Sequence, residues 1–149
     1  MLGPSLKVTE INHVALHVGD LERSKEFYVG VLGFEDRTAK VNPGQATHSN
    51  PTMSFLVAGS QGLDLFQVSG REVRGGQEMS HLALSVEADH IDEVVALLQT
   101  AGVETSDKTP RNTVFITDPD GHRIEILPRS ANVRMLREPA SERAKRVTP

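Results

Sequence analysis

The sequence predicts an α+β fold in which two similar strand–helix–strands modules follow one another in a chain of 149 residues. A histidine-led strand pattern at residues 13–18 returns 68 positions later, at residues 81–86. Each copy is followed by a stretch with helical periodicity that ends at a glycine, Gly33 or Gly102. Further strand-like segments complete each module, so the chain contains the same pattern of elements twice.

The elements of the first module follow from its side-chain pattern. Residues 13–18 alternate between apolar and polar side chains, which predicts a half-buried strand with His13 and His17 on one face. Asp20 provides an N-cap for a helix of about three turns that ends at Gly33. Residues 40–52 contain two prolines and a glycine, which is typical of a loop, and residues 54–57 and 63–68 are predicted strands.

The second module repeats this order. Asp89 is expected to cap a helix with apolar side chains at i, i+3, i+4 and i+7, and residues 113–117 and 123–127 are predicted strands joined by a tight turn. Glu125 takes the place that Asp64 has in the first module. We expect two helices and about eight short strands in one domain. Its parts are a first module over about residues 8–69, a linker at 70–78, a second module over about 79–128 and a tail at 129–149.

Composition and charge exclude several classes of function. The chain contains no cysteine and therefore no disulfide. The sequence shows neither an 18-residue apolar run, as in a membrane span, nor the pattern of an export leader, so a cytoplasmic location is expected. Residues 1–128 carry 10 basic and 18 acidic side chains, which disfavours binding to nucleic acid. A small molecule is the expected partner.

Four polar side chains stand at matching points of the two modules. If the modules are related by rough two-fold symmetry, His13 and Asp64 from one are expected to meet His81 and Glu125 from the other. Nitrogen and oxygen ligands without thiolate suit one divalent ion per site, such as Zn, Ni, Mn, Co or Fe(II), with positions left for a substrate. The alternative is that these residues lie on the solvent side of ordinary strands, but the repetition of the pair favours a metal site.

Four motifs of the chain are distinctive: residues 12–24, the Phe27-Tyr28 pair, residues 32–34 and the run 118–125. They resemble the vicinal oxygen chelate superfamily, which includes glyoxalase I, methylmalonyl-CoA epimerase, extradiol dioxygenases, fosfomycin thiol transferases and bleomycin-binding proteins. The resemblance spans residues 11–127 and implies paired βαβββ modules in a homodimer, with metal sites built within or between chains. The family's metal positions map onto His13, His81 and Glu125, and Asp64 occupies the slot of a glutamate or glutamine.

The resemblance implies a glyoxalase-like isomerase or lyase that acts on a small α-oxygenated substrate through a metal-chelated enolate. Glu125 and Asp64 are the candidate bases, and His17, on the same face as His13, is a candidate acid or base in the pocket. Because aspartate is one methylene shorter than glutamate, Asp64 either binds the metal directly or reaches it through water.

Other reactions of the family remain alternatives. An extradiol dioxygenase fits the strand and turn before Glu125, although Phe115 replaces the usual tyrosine. A fosfomycin thiol transferase would have a threonine where this chain has Ala15. Glyoxalase I has an arginine and an asparagine for glutathione where this chain has His17 and Val68, which argues against glutathione as the thiol. A non-catalytic drug-binding or resistance protein is the alternative from a different class.

Charged residues outside the four candidate ligands carry weaker predictions. Arg71, Arg74 and Arg111 are expected on loops that could cap a pocket and attract an anionic substrate. By alternation from Glu125, His122 is expected to point away from the site.

Overall fold

A computed structural model describes residues 11–69 and 80–129, which belong to two compact units spanning residues 1–73 and 74–149. Each unit combines helix with a sheet, of four strands in the first and three in the second, which confirms the predicted α+β class. The predicted linker and nearly all of the predicted tail lie outside the described residues. No helix in the described ranges combines the length and apolar character that a membrane span needs.

The first unit follows the predicted path with two additional short helices. Its elements are β1 (His13–Val18), α1 (Leu21–Lys25) with a π-helical continuation (Glu26–Val31), β2 (Glu35–Asp36), α2 (Thr38–Val41), α3 (Pro43–Ala46), β3 (Met53–Ala58) and β4 (Gln61–Gln67). The strand order is β1-β4-β3-β2, and β1 is parallel to β4 while the other pairs are antiparallel.

The second unit repeats this topology with fewer strands. Its elements are β5 (Leu82–Ser85), α4 (Ile91–Thr100), β6 (Val114–Thr117) and β7 (Arg123–Leu127), in the order β5-β7-β6 with β5 parallel to β7. The counterpart of β2 is reduced to backbone pairing: the Ser106 amide donates to the Phe115 carbonyl at 2.9 Å, as Arg37 does to Phe55 at 2.8 Å. Seven strands therefore lie in the described residues, where the sequence predicts about eight.

Alternate apolar side chains of the strands form the buried core of each unit. Those of β1 and β4 in the first unit and of β6 and β7 in the second are Leu16, Val18, Leu63, Leu65, Val114, Ile116, Ile124 and Ile126. Since successive side chains of a strand point to opposite faces, the histidines and acids between them are directed to the other face. The packing of each core thus fixes where the candidate ligands point.

The predicted helix ends are confirmed at three positions. The Asp20 carboxylate accepts a hydrogen bond from the Arg23 amide at 3.0 Å and caps α1. Gly33 and Gly102 have φ of 77° and 75°, the left-handed conformation that ends a helix and that glycine adopts without strain.

Two local predictions are wrong. The segment 40–52 contains helical turns, because the Asn42 side chain accepts from the Gln45 amide at 3.4 Å and Pro43 stands at the first position of α3. The N-cap of α4 is His90, which makes no side-chain capping bond, whereas Asp89 pairs with Arg129 at 3.1 Å. Short helices without apolar periodicity give little signal in a sequence.

Candidate functional site

The first unit presents a histidine and an acid on one face of its sheet. His13 on β1 is in parallel register with Gly62 on β4, and Asp64 lies two residues further along β4, opposite Ala15. The spacing of two places both side chains on the same face. His13 Nδ1 is hydrogen bonded to Asn12 Oδ1 at 2.8 Å, which leaves Nε2 available as a metal ligand.

Asp64 is the unusual group of this pair. The residue is 8% exposed, and its Oδ1 atom is buried without a hydrogen-bond partner among the described residues. Burial raises the pKa of the Asp64 carboxyl, and the nearby His13 opposes this rise. A buried carboxylate oxygen without a donor costs folding free energy, so it marks a candidate functional group.

The second unit repeats the pair with a direct contact. The Nε2 atom of His81 lies 3.3 Å from Oε2 of Glu125, and His81 Nδ1 lies 3.1 Å from the Ser80 hydroxyl. Two ligand atoms that each bind one ion at about 2.1 Å lie about 3.0–3.4 Å apart in octahedral or tetrahedral geometry. The 3.3 Å separation of His81 Nε2 and Glu125 Oε2 therefore fits a shared divalent ion.

The other oxygen of Glu125 is held by the protein. The Thr113 hydroxyl donates to Oε1 at 2.7 Å, and the Arg111 guanidinium lies 3.3 Å from the same atom. These contacts fix the carboxylate, which is 1% exposed, with Oε2 directed to His81. Met53 lies two residues before Phe55, as Thr113 lies two residues before Phe115, so the two residues hold equivalent positions. The thioether of Met53 cannot donate a hydrogen bond to Asp64.

An aromatic ring accompanies each histidine. Phe55 is in register with Asp64 and Phe115 with Glu125. The ring of His13 lies edge-on to Phe55 with centroids 5.6 Å apart, and His81 lies edge-on to Phe115 at 5.4 Å. Sequence reasoning missed Phe55 and Thr113 as parts of the site. Aligning the segments that became β3 and β6 on their phenylalanines would have revealed Phe55, whereas the role of Thr113 depends on the pairing of β6 with β7.

The structure gives less information about the other residues that the sequence predicts for the site. His17 lies on the same face of β1, in register with Phe66, and its role as an acid or base stays a prediction. Arg71 and Arg74 lie outside the described residues, whereas Arg111 contacts Glu125. The meeting of the two histidine–acid pairs at one ion also stays a prediction.

A second group of metal-ligating side chains lies in the turn between β6 and β7. Ligand atoms of Asp118, Asp120 and His122 lie within 4.8 Å of one another. The Asp118 carboxylate accepts from the amides of Asp120 and His122 at 2.9 and 2.8 Å and contacts His122 Nδ1 at 2.7 Å. With three donors on one carboxylate, this group first of all stabilises the turn.

This contact predicts a pH-dependent stability. The hydrogen bond to Asp118 raises the pKa of His122, and burial opposes the rise. Because the folded pKa exceeds the unfolded one, the stabilisation is complete below pH 6.5 and is lost as the pH rises through the folded pKa. We expect His122→Gln to cost about 1–3 kcal/mol at pH 5.5 and less at pH 8.5, measured by urea unfolding.

The exposed His90 provides the control for this measurement, because its side chain makes no capping bond. His90→Gln should change the free energy of unfolding little at either pH. An equal cost of His122→Gln at both pH values would contradict the assigned charge interaction.

Residues 10–126 match the family model of the Glyoxalase/Bleomycin resistance protein/Dioxygenase superfamily. The chain is 26% identical over 129 residues to the metallothiol transferase FosB of Staphylococcus epidermidis. The alignment covers 81% of this chain and 82% of that protein. It is 30% identical over 125 residues to the lactoylglutathione lyase of Salmonella typhimurium, with coverage of 77% and 89%. Both names are those of enzymes, and the motif resemblance is confirmed.

Solved structures support the fold. The fosfomycin resistance protein FosX from Mesorhizobium loti aligns with a TM-score of 0.62 over 93% of this chain and 99% of that chain, at 17% identity. At this identity the similarity concerns the fold alone.

Proposed function

Since this chain belongs to the Glyoxalase/Bleomycin resistance protein/Dioxygenase superfamily, we propose that it is a metal-dependent isomerase or lyase acting on a small α-oxygenated substrate. The observation that carries the proposal is the duplicated pair. In each unit a buried carboxylate is in register with an alanine, and a histidine lies two residues before that alanine. The Nδ1 atom of each histidine contacts the side chain of the residue before it. A repeated arrangement of this kind is expected of metal ligands.

The donor set fits a divalent ion. His13 and His81 would bind it through Nε2, and Glu125 through the oxygen that faces His81. The buried Oδ1 of Asp64, which has no donor in the described residues, fits either as a further ligand or as a base beside the ion. A bound divalent ion would supply Lewis acidity that stabilises negative charge on two neighbouring substrate oxygens.

The protein's own residues would then select the reaction. Glu125 is held by Thr113 and Arg111, which suits a ligand that keeps one position. Within residues 11–69 and 80–129, Oδ1 of Asp64 accepts no such bond, which suits a group that takes a proton from one substrate carbon and returns it to the next. Removal and return of a proton at adjacent carbons is an isomerisation.

Thiol transfer is the second candidate, favoured by the 26% identity with FosB. In a thiol transfer no proton moves between substrate carbons, and a base would instead accept the proton of the attacking thiol. Incubation with thiol–ketoaldehyde adducts in deuterated water separates the two candidates. Isomerisation with deuterium exchange at carbon supports the first, and oxygen uptake with catechols under ferrous iron would instead indicate a dioxygenase.

Metal analysis tests the proposal directly. Protein purified without chelator is expected to hold about one divalent ion per chain. His13→Ala and His81→Ala should each lose most of it, whereas His90→Ala, an exposed histidine outside both pairs, should retain it. Wild-type protein without metal after reconstitution with zinc, nickel, manganese, cobalt and ferrous iron would overturn the proposal.

The homodimer and the cytoplasmic location remain predictions from the sequence, and the two pairs can meet within one chain or between two chains. Co-expression of His13→Ala with Glu125→Gln distinguishes these arrangements. If a site takes one pair from each chain, a mixed dimer contains one site with all native ligands and regains metal. If each site lies within one chain, both sites of the mixed dimer are defective.

A further inference from the structure

Arg123 lies on the same sheet face of the second unit as His81 and Glu125. Arg123 is the first residue of β7 and lies two residues before Glu125. Leu82 pairs with Ile124, so extending the β5–β7 pairing by one residue places Arg123 opposite His81. Residues two apart on one strand share a face and lie about 7 Å apart. Arg123 therefore neighbours both members of the pair in the second unit.

The guanidinium of Arg123 is held in place by an aromatic ring. Its Cζ atom lies 3.9 Å from the centroid of Phe115, the ring that also makes the edge contact with His81. This is a cation–π arrangement, which restricts the side chain while leaving the N–H groups free to donate. Phe115 thus links the position of Arg123 to that of His81.

Among the described residues, no carboxylate pairs with Arg123. Other cations do have acidic partners there: Arg111 contacts Glu125, Arg129 contacts Asp89 and Lys108 contacts Asp92. A planar guanidinium without an anion matches carboxylate and phosphonate groups through paired hydrogen bonds.

Arg123 also lines an open groove of the second unit. Ser80, Ser106 and Thr117 lie in its wall, and Glu104, exposed to solvent, is the one acid among the described residues that line it. Ser80, whose hydroxyl contacts His81, and Phe115, whose ring lies edge-on to His81, both line this groove. A ligand held at His81 and Glu125 could extend its far end into this groove.

We propose that Arg123, held over Phe115, anchors a carboxylate or phosphonate group at the far end of the substrate. This inference rests on the proposed function and narrows it: the substrate carries vicinal oxygens at one end and an anionic group a few carbons away. The positions of His81, Glu125 and Arg123 on one sheet face set that short spacing. Arg123 is then a specificity residue, since it binds substrate without taking part in the proton transfer.

Calorimetric binding to the manganese-loaded protein tests the anchor. The probes are 2-oxoglutarate, 2-oxo-4-phosphonobutanoate and the uncharged-tail analogue 2-oxopentanoate. We expect at least one anionic-tail probe to bind about tenfold more tightly than 2-oxopentanoate. The tighter of the two identifies carboxylate or phosphonate as the preferred group.

Variants assign the preference to Arg123. In Arg123→Met the ratio should fall to about one, and in Arg123→Lys, which keeps the charge but loses the planar fork, it should be intermediate. Lys108→Met removes one positive charge from a residue paired with Asp92 and should keep the wild-type ratio. Metal content should be unchanged in all three variants.

The outcomes separate this inference from the proposed function. Manganese binding with no preference for either anionic tail, or a preference that survives in Arg123→Met, overturns the anchor alone. A wild-type protein that binds no metal overturns the proposed function and the anchor with it. Loss of the ratio in Arg123→Met with metal retained supports both.

Discussion

The Asp64→Asn variant is expected to unfold at a higher denaturant concentration than the wild-type protein and to lose its catalytic activity. The stability gain comes from removal of a charge whose Oδ1 atom is buried without a hydrogen-bond partner in the described residues. Burial already raises the pKa of this carboxyl, which means that its ionised form is disfavoured in the folded state. We expect a gain of about 1–2 kcal/mol at neutral pH.

Activity should change in the opposite direction. If Asp64 moves the proton, an amide at this position should lower kcat by about 10²–10⁴-fold. A simultaneous gain in stability and loss of activity is typical of a group retained for function at the expense of folding. Urea unfolding should be measured with a chelator present, because a metal bound to the native state would stabilise the wild-type protein by mass action.

Glu125→Gln is the matched control, since Glu125 holds the equivalent position in the second unit. Its carboxylate already has the Thr113 hydroxyl and Arg111 as partners. Removing its charge should therefore lower the free energy of unfolding in the absence of metal. A stability loss in Asp64→Asn similar to that in Glu125→Gln would show that Asp64 is satisfied in the folded protein and would remove the argument for it as a base.

The duplicated pair could be predicted because strand periodicity is a local property. Because His13 and His81 stand at the start of equivalent predicted strands, a period of two fixes which face they share with the acids. Family motifs then indicated the ligand positions. The helix ends at Gly33 and Gly102 followed from glycine's conformational freedom in the same local way.

The partners of the acids could not be predicted because they depend on register between strands. Thr113 reaches Glu125 only through the antiparallel pairing of β6 with β7. The difference between Thr113 and Met53, which leaves Asp64 without an equivalent donor, becomes visible only when the two units are aligned by that pairing. Arg123 escaped notice for the same reason, since its neighbours His81 and Phe115 lie on other strands.

Gly62→Ala is expected to destabilise the first unit and to displace His13. Gly62 faces His13 across the β1–β4 pair, and the ring of Phe55 lies against its backbone. A Cβ atom at Gly62 would lie 2.9 Å from His13 Cβ and 3.0 Å from Phe55 Cε1, closer than such carbons normally approach. Since the His13 contact is with Cβ close to the backbone, the ring of Phe55 and the β1 strand must both shift.

The expected cost is about 1–3 kcal/mol in the free energy of unfolding, the usual effect of overpacking. Metal affinity should also fall, because the displaced backbone carries the His13 imidazole with it and ligand geometry tolerates little movement. Gly30→Ala provides the control: a Cβ there meets no atom within 4 Å, and the residue lies in the exposed part of the π-helix. Urea unfolding and zinc competition titrations on both variants measure the two effects. Wild-type stability and zinc affinity in Gly62→Ala would mean that the ring of Phe55 moves aside freely and that the glycine has no part in placing His13.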